Sequence, residues 1–247
     1  MERIRFGTGM LLLGATLAFG TIASAQAIAK ALVAMRQQEG GIRVKGYAAE
    51  DITSDQGSWS GAVTVRAATL KDAYARLETD VAKLRAFVKS AGFGDELVST
   101  SAIRSEEIAK LDERGARTNV IEAYRLVQST SVTSPNPQAI AKLARDATSL
   151  IKDGVDISSG QPVFIHTGIE AIKLRLLGAA TDNGRARADT LAKGAGGRTG
   201  RLVGATQGVF QIVPKDSTDV NDYGAYDTTT IQKTVKAVVT LDFAVER

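Results

Sequence analysis

Apolar positions along this chain follow two periods, two and about three and a half, in alternating blocks. Ile42 and Val44 alternate with Arg43 and Lys45, the pattern of a half-buried strand. After Gly57, a second strand places Trp59, Gly61, Val63 and Val65 on one face. The period then lengthens. Leu70, Tyr74, Leu77, Val81, Leu84 and Val88 recur at helical steps, with Thr69 as N-cap, Asp72 three residues on, and Gly92 and Gly94 as stop signals. Val98–Arg104 reads as a third strand, and Glu106–Asn119 as a hairpin or loop around Gly115. Val120–Val132 reads as a long fourth strand.

The second half repeats the order. Asn136 caps a second helix, with Pro137 at its first position, a stripe of Ile140, Leu143, Ala147 and Leu150, and Asp153-Gly154 at its end. Gln161–Thr167 reads as a strand. Residues 169–193 read as a helix interrupted by Gly178 and Asn183-Gly184, and Leu202–Val213 as extended chain. Pro214–Asp227 reads as a polar loop. In the last strand Val235, Ala237, Val239, Leu241, Phe243 and Val245 share one face. The strand–helix–strand order of 59–104 recurs in 120–167, which points to an internal β-α-β duplication. Helices with one apolar stripe must lie on a sheet, so the pattern predicts an α+β fold, a largely antiparallel sheet with helices packed on it.

The first 29 residues obey neither period. Arg3 and Arg5 precede a segment with no charge from Gly7 to Ala29, centred on Met10–Leu13 and Leu17–Phe19. Ala23-Ser24-Ala25 has the small-x-small form of a signal-peptidase site. Two readings stay open: a cleaved signal peptide, or an uncleaved membrane anchor with its positive end in the cytoplasm. Either exports the remainder of the chain, giving a linker over 30–41 and a domain over 42–247, periplasmic and either free or tethered to the inner membrane.

Composition narrows the chemistry. Of 247 residues none is Cys and one is His, which excludes disulfides, thiolate nucleophiles and multi-histidine metal sites. The net charge of +4 is small, and the densest basic group, Arg185, Arg187, Arg198 and Arg201, has no interleaved aromatic, so a nucleic-acid partner is not expected. His166 lies in the strand read over 161–167, opposite in phase to an inward Val163 and Ile165, and has no sequence partner that would make it a general base. Gly194, Gly196, Gly197 and Gly200 close a helix and open a strand, the reverse of a phosphate-binding turn. Asp216, Asp219, Asp222 and Asp227 lack calcium-loop spacing and a closing Glu. There is no Gly-x-Ser-x-Gly elbow. No catalytic, cofactor or metal residue is therefore assigned.

Val44-Lys45-Gly46, with Ala49-Glu50, Thr53, Asp55 and Trp59 after it, resembles the opening of the SIMPL-domain family. The Ala-rich run from Ala186 into Gly200, and Gln207-Gly208-Val209-Phe210-Gln211-Ile212 with its variable loop and closing strand, are similar to later parts of that family. The resemblance covers about residues 42–246. It implies a bacterial periplasmic or envelope protein, with links in some members to oxidative-stress defence and in some to large channel-like homo-oligomers. It implies no catalytic residues.

The expectation is thus a non-enzymatic, exported, self-assembling envelope protein without a cofactor. Protection from oxidants would be indirect, because Met35 is the only methionine beyond the N-terminal segment. Two alternatives stay open: a periplasmic module binding a small molecule or lipid, and a hydrolase with a dispersed site that uses His166. The expected homo-oligomer rests on the fourth strand, which is long enough to outrun its own partners and expose unpaired backbone. A hairpin arm that pairs only with its neighbour is the competing outcome.

Overall fold

The computed structural model describes residues 28–29, 41–218, 221 and 223–246. The expected signal or anchor over 1–29 and the linker over 30–41 lie outside the described residues, apart from Ile28, Ala29 and Gly41, as do Asp219 and Asp222. No helix among the described residues is long and apolar enough to cross a membrane.

The elements run β1 (Gly41–Thr53), β2 (Gln56–Ala67), α1 (Leu70–Ser90), β3 (Val98–Thr100), β4 (Arg104–Leu111), β5 (Arg117–Ser134), α2 (Pro137–Asp146), β6 (Ile157–Ser159) and β7 (Val163–Ile165). They continue with α3 (Ile169–Gly194), β8 (Arg198–Gln207), β9 (Gln211–Pro214), β10 (Ala225–Tyr226) and β11 (Gln232–Glu246). The fold is α+β, and its strand ladders are antiparallel except for a short parallel β9–β10 pairing. Two compact units share the chain. Among the described residues one holds 41–48, 177–208 and 238–246, and the other lies within 49–176 and 209–237.

The larger unit is built on a sheet of order β3-β5-β2-β6, with β4 also on β5 and β7 also on β2. β2–α1–β3 and β5–α2–β6 are therefore two split β-α-β units, whose long first strands pair antiparallel from Gly57↔Ser134 to Ala67↔Tyr124. That is the repeat expected from the sequence, with one correction. Its second closing strand is Ile157–Ser159, and only Val163–Ile165 of the expected strand 161–167 is extended. Trp59, Val63 and Val65 of β2 and Leu126 and Val132 of β5 face the helices in one buried core. The Trp59 indole donates to the Ser159 hydroxyl at 2.9 Å, which satisfies a buried polar group.

Local chemistry starts and stops the helices. The Thr69 hydroxyl accepts the Asp72 N–H, and Asn136 Oδ1 accepts the Ala139 N–H. Gly154, at φ 79°, ends the turn after α2 in the left-handed conformation. The buried stripe of α1 is Ala73, Leu77, Val81, Leu84 and Val88. The helical period places Leu70 and Tyr74 on it too, but both are about half exposed, because they lie off the face that meets the sheet.

In the smaller unit β8 pairs with β11 from Val239↔Gln207 to Glu246↔Arg198. Val239, Leu241 and Phe243 are buried as the alternation predicts, whereas Val245 is 37% exposed near the strand end. α3 is continuous across 169–194, against the expected interruption at Gly178 and Gly184. Gly178 faces open space, where a helix tolerates glycine at a modest cost, and Gly184 is a contact point. An added Cβ there would stand 2.7 Å from Leu241 Cδ1, and one at Gly46 would stand 2.0 Å from the Ala180 carbonyl oxygen. Leu202–Val213, expected as one extended segment, is two strands broken at 208–210, and β10 interrupts the loop expected over 214–227.

Candidate functional site

The expected strand Val98–Arg104 divides into β3 and β4, which occupy different stretches of the same side of β5. The break at 101–103 is stitched by the Ser101 hydroxyl, which accepts the Ser129 N–H, and by the Gln128 amide, which donates to the Ser101 carbonyl. β4 then leads into a hairpin. Asp112 Oδ1 accepts the N–H groups of Arg114 and Ala116, both at 2.9 Å, and Gly115 supplies the positive φ of 77° that the turn requires. The hairpin alternative for 106–119 is thus the observed one.

β5 begins at Arg117, earlier than the expected Val120, and runs to Ser134. Its ladder to β2 stops at Tyr124, so residues 117–123 have β4 on one side and no strand on the other among the described residues. The result is a two-stranded arm. Arg125–Glu106 and Arg66–Glu122 ion pairs brace its base. Further out, Leu111 is 54%, Val120 59% and Ile121 41% exposed. A two-stranded ribbon is marginal in water without a covered apolar face. Here the apolar residues and an open backbone edge occur together, which is the chemistry of a strand-pairing surface.

The sequence candidates fall elsewhere. His166 comes directly after β7, in which Phe164 is the buried residue and Val163 is exposed, the reverse of the expected phase. Its Nδ1 accepts the Gly168 N–H at 3.1 Å and lies 3.8 Å from Asp55 Oδ2. In the neutral ring this puts the proton on Nε2, so the contact with Asp55 is not an ion pair in that form. Asp55 instead accepts the N–H and hydroxyl of Thr167, both at 2.8 Å. Burial works to raise the Asp55 pKa. The hydrogen bonds from the Thr167 N–H and hydroxyl outweigh it and hold the carboxyl below its ordinary value. These contacts shape the turn into α3. His166→Gln is expected to change melting by less than about 2 °C, as for a surface substitution, measured by circular dichroism.

Gly194, Gly196, Gly197 and Gly200 lie at the end of α3 and the start of β8, with Gly196 at φ 76°, a turn between helix and strand. Asp227 does not join Asp216 in a cation site. It accepts hydrogen bonds from Thr229, from Thr230 and from Lys233 Nζ at 2.9 Å. Among the described residues no group of three or more acidic or His side chains is placed to hold a metal. Sequence reasoning missed this Asp227–Lys233 pair, since an alternating strand gives no sign that its one inward Lys has a partner.

A family model described as SIMPL, protein of unknown function (DUF541), matches residues 42–243. A search of curated protein sequences returns no match. Among solved structures the chain is similar to the de novo designed protein Foldit4, at 8% identity and TM-score 0.24, covering 42% of this chain and 93% of that one. It is also similar to an amidase of the hydantoinase/carbamoylase family from Burkholderia phymatum, at 13% identity and TM-score 0.30, covering 52% of this chain and 34% of the amidase. A third is the regulatory subunit of aspartate kinase from Thermus thermophilus, at 9% identity and TM-score 0.20, covering 79% and 88%. The match spans about a third of the amidase, and none of these likenesses carries a functional argument.

Proposed function

Since the chain belongs to the SIMPL (DUF541) family, with the match running from residue 42 to 243, we propose that it is a non-enzymatic envelope protein that works as a homo-oligomer joined through the β4–β5 arm. The arm is the observation that carries this reading. It holds exposed Leu111, Val120 and Ile121 beside the unpaired 117–123 edge of β5. A second copy can complete the ribbon and bury those side chains, and closed symmetry then leaves no edge open. Export is supported by Arg3 and Arg5, the uncharged run from Gly7 to Ala29 and the Ala-Ser-Ala site. A contribution to oxidative-stress defence rests on the family resemblance alone. It would be indirect, because the chain has no thiol.

Sedimentation velocity on the full-length protein tests the assembly. The wild type is expected to sediment as a discrete oligomer at micromolar concentration. Val120→Asp with Ile121→Asp should weaken association by roughly tenfold or more, since it places two charges in the buried contact. Melting should stay within about 2 °C of wild type, because both sites are outside the core. A monomeric wild type would remove the proposal.

A further inference from the structure

On α3, Asn183, Ala186, Arg187 and Leu191 recur at steps of three, one and four, which puts them on one face of the helix. That face meets Val44 and Lys45 of β1 across a groove of about 510 Å³, open along one side and within the size range of small-ligand sites. The groove has a local cause. Strand and helix touch backbone to backbone at Gly46, where no side chain fits. One turn further along the helix Ala186 adds only a methyl group, too little to fill the space that opens.

The polar side chains on the helix side of the groove are Asn183, Arg187 and Thr190, and the Thr190 hydroxyl donates to the Ala186 carbonyl at 2.9 Å. Arg187 spends one N–H on the Lys45 carbonyl at 3.2 Å, which holds the guanidinium beside the strand. Its other N–H groups have no carboxylate partner among the described residues. Asn183 Oδ1 is occupied by the Tyr47 N–H at 3.1 Å, which leaves its NH₂ to donate. No acidic residue lines the groove, and its walls are Val44, Ala186 and the 55% exposed Leu191. A guanidinium without a carboxylate partner beside an apolar wall is complementary to a ligand with an anionic head and an apolar tail. A guanidinium with several free N–H groups suits a planar carboxylate better than a point charge does.

We infer that the groove between β1 and α3 binds a single-chain fatty carboxylate, its head on Arg187 and Asn183 and its chain along Val44, Ala186 and Leu191. The site is in the smaller unit and the arm in the larger, so this inference does not depend on assembly.

Isothermal titration calorimetry with laurate on the full-length protein tests it. Saturable binding is expected in the micromolar range. Arg187→Glu should weaken it by about tenfold or more, as should Ala186→Trp, which fills the groove. Lys71→Glu, an exposed cation on α1, should leave it unchanged. Acetate, which lacks the chain, and dodecanol, which lacks the charge, should each bind at least about tenfold more weakly than laurate. Circular dichroism confirms that each variant is folded, and Leu191→Asp gives a second, surface-located loss. The inference is overturned by an absence of saturable laurate binding up to about 1 mM. It is equally overturned if folded Arg187→Glu and Leu191→Asp bind laurate as wild type does, or if dodecanol binds as well as laurate.

Discussion

Gly46→Ala is expected to destabilise the smaller unit by about 3 kcal/mol or more, at the upper end of overpacking effects. The added methyl carbon would stand 2.0 Å from the Ala180 carbonyl oxygen and 2.8 Å from the Gly184 nitrogen, both backbone atoms of α3. No rotamer change relieves such a contact, so helix and strand must separate. Gly184→Ala should act in the same direction and less strongly, because the nearest atom it meets is the end of the Leu241 side chain at 2.7 Å. Gly178 on the same helix is the control. Nothing lies within 4 Å of its added Cβ, so Gly178→Ala should stabilise by roughly 0.5–1 kcal/mol through helix propensity. Thermal melts of the three variants check the order. Amide exchange across 180–188 should accelerate in Gly46→Ala. Equal stability of Gly46→Ala and Gly178→Ala would show that the backbones do not touch.

Asp227→Asn is expected to cost about 3–5 kcal/mol, the range for removing one partner of a buried ion pair. The Lys233 side chain is 0% and the Asp227 side chain 9% exposed, so the buried ammonium would be left with the Thr230 carbonyl and no carboxylate. The pair also organises its surroundings. Next to it the Thr228 carbonyl accepts the Phe164 N–H, and the Ile231 carbonyl accepts the Ser54 N–H. Lys233→Met should cost much less, since Asp227 keeps the donors of Thr229 and Thr230.

The same carboxylate gives an acid limb. Burial would raise its pKa, but the hydrogen bonds from Thr230, Thr229 and Lys233 prevail and hold it well below the ordinary carboxylate value. Its stabilising contribution is therefore complete above the unfolded pKa of about 4 and is lost as pH falls below that. The stability gap between wild type and Asp227→Asn should narrow on going from pH 6 to about pH 2. Urea denaturation at a series of pH values measures the gap, and a constant gap would exclude the mechanism.

Much of the secondary structure was legible because it rests on neighbours in sequence. Thr69 and Asn136 cap the helices expected from them, and Gly154 stops the segment expected to end there. Alternation from Val235 to Phe243 foretold which side of β11 is buried. The errors fall where a distant residue decides. Tyr74 fits the helical period, yet it is half exposed because it lies off the face of α1 that meets the sheet. Phe164 rather than Val163 turns inward because β7 takes its phase from the register Gly57↔Phe164, which no local pattern reports. Gly184 looks like a helix breaker, and only the position of Gly46 makes it a packing residue.

The candidate sites divide the same way. The length of the fourth strand was visible in the sequence, and with it the prospect of an overhang. That the overhang is the 117–123 arm, paired with β4 and open on its other side, depends on β2 ending its ladder at Tyr124. The donor-rich groove was not visible, because Val44 and Lys45 are more than 130 residues from Asn183 and Arg187. Periodicity and capping are short-range physics, so the α+β class and the repeated β-α-β order follow from neighbouring residues, as the exclusion of thiol chemistry follows from composition. Which edges stay open, which glycines are contacts and which charges meet are set by long-range pairing and close packing, which join residues far apart in the chain and leave no local pattern.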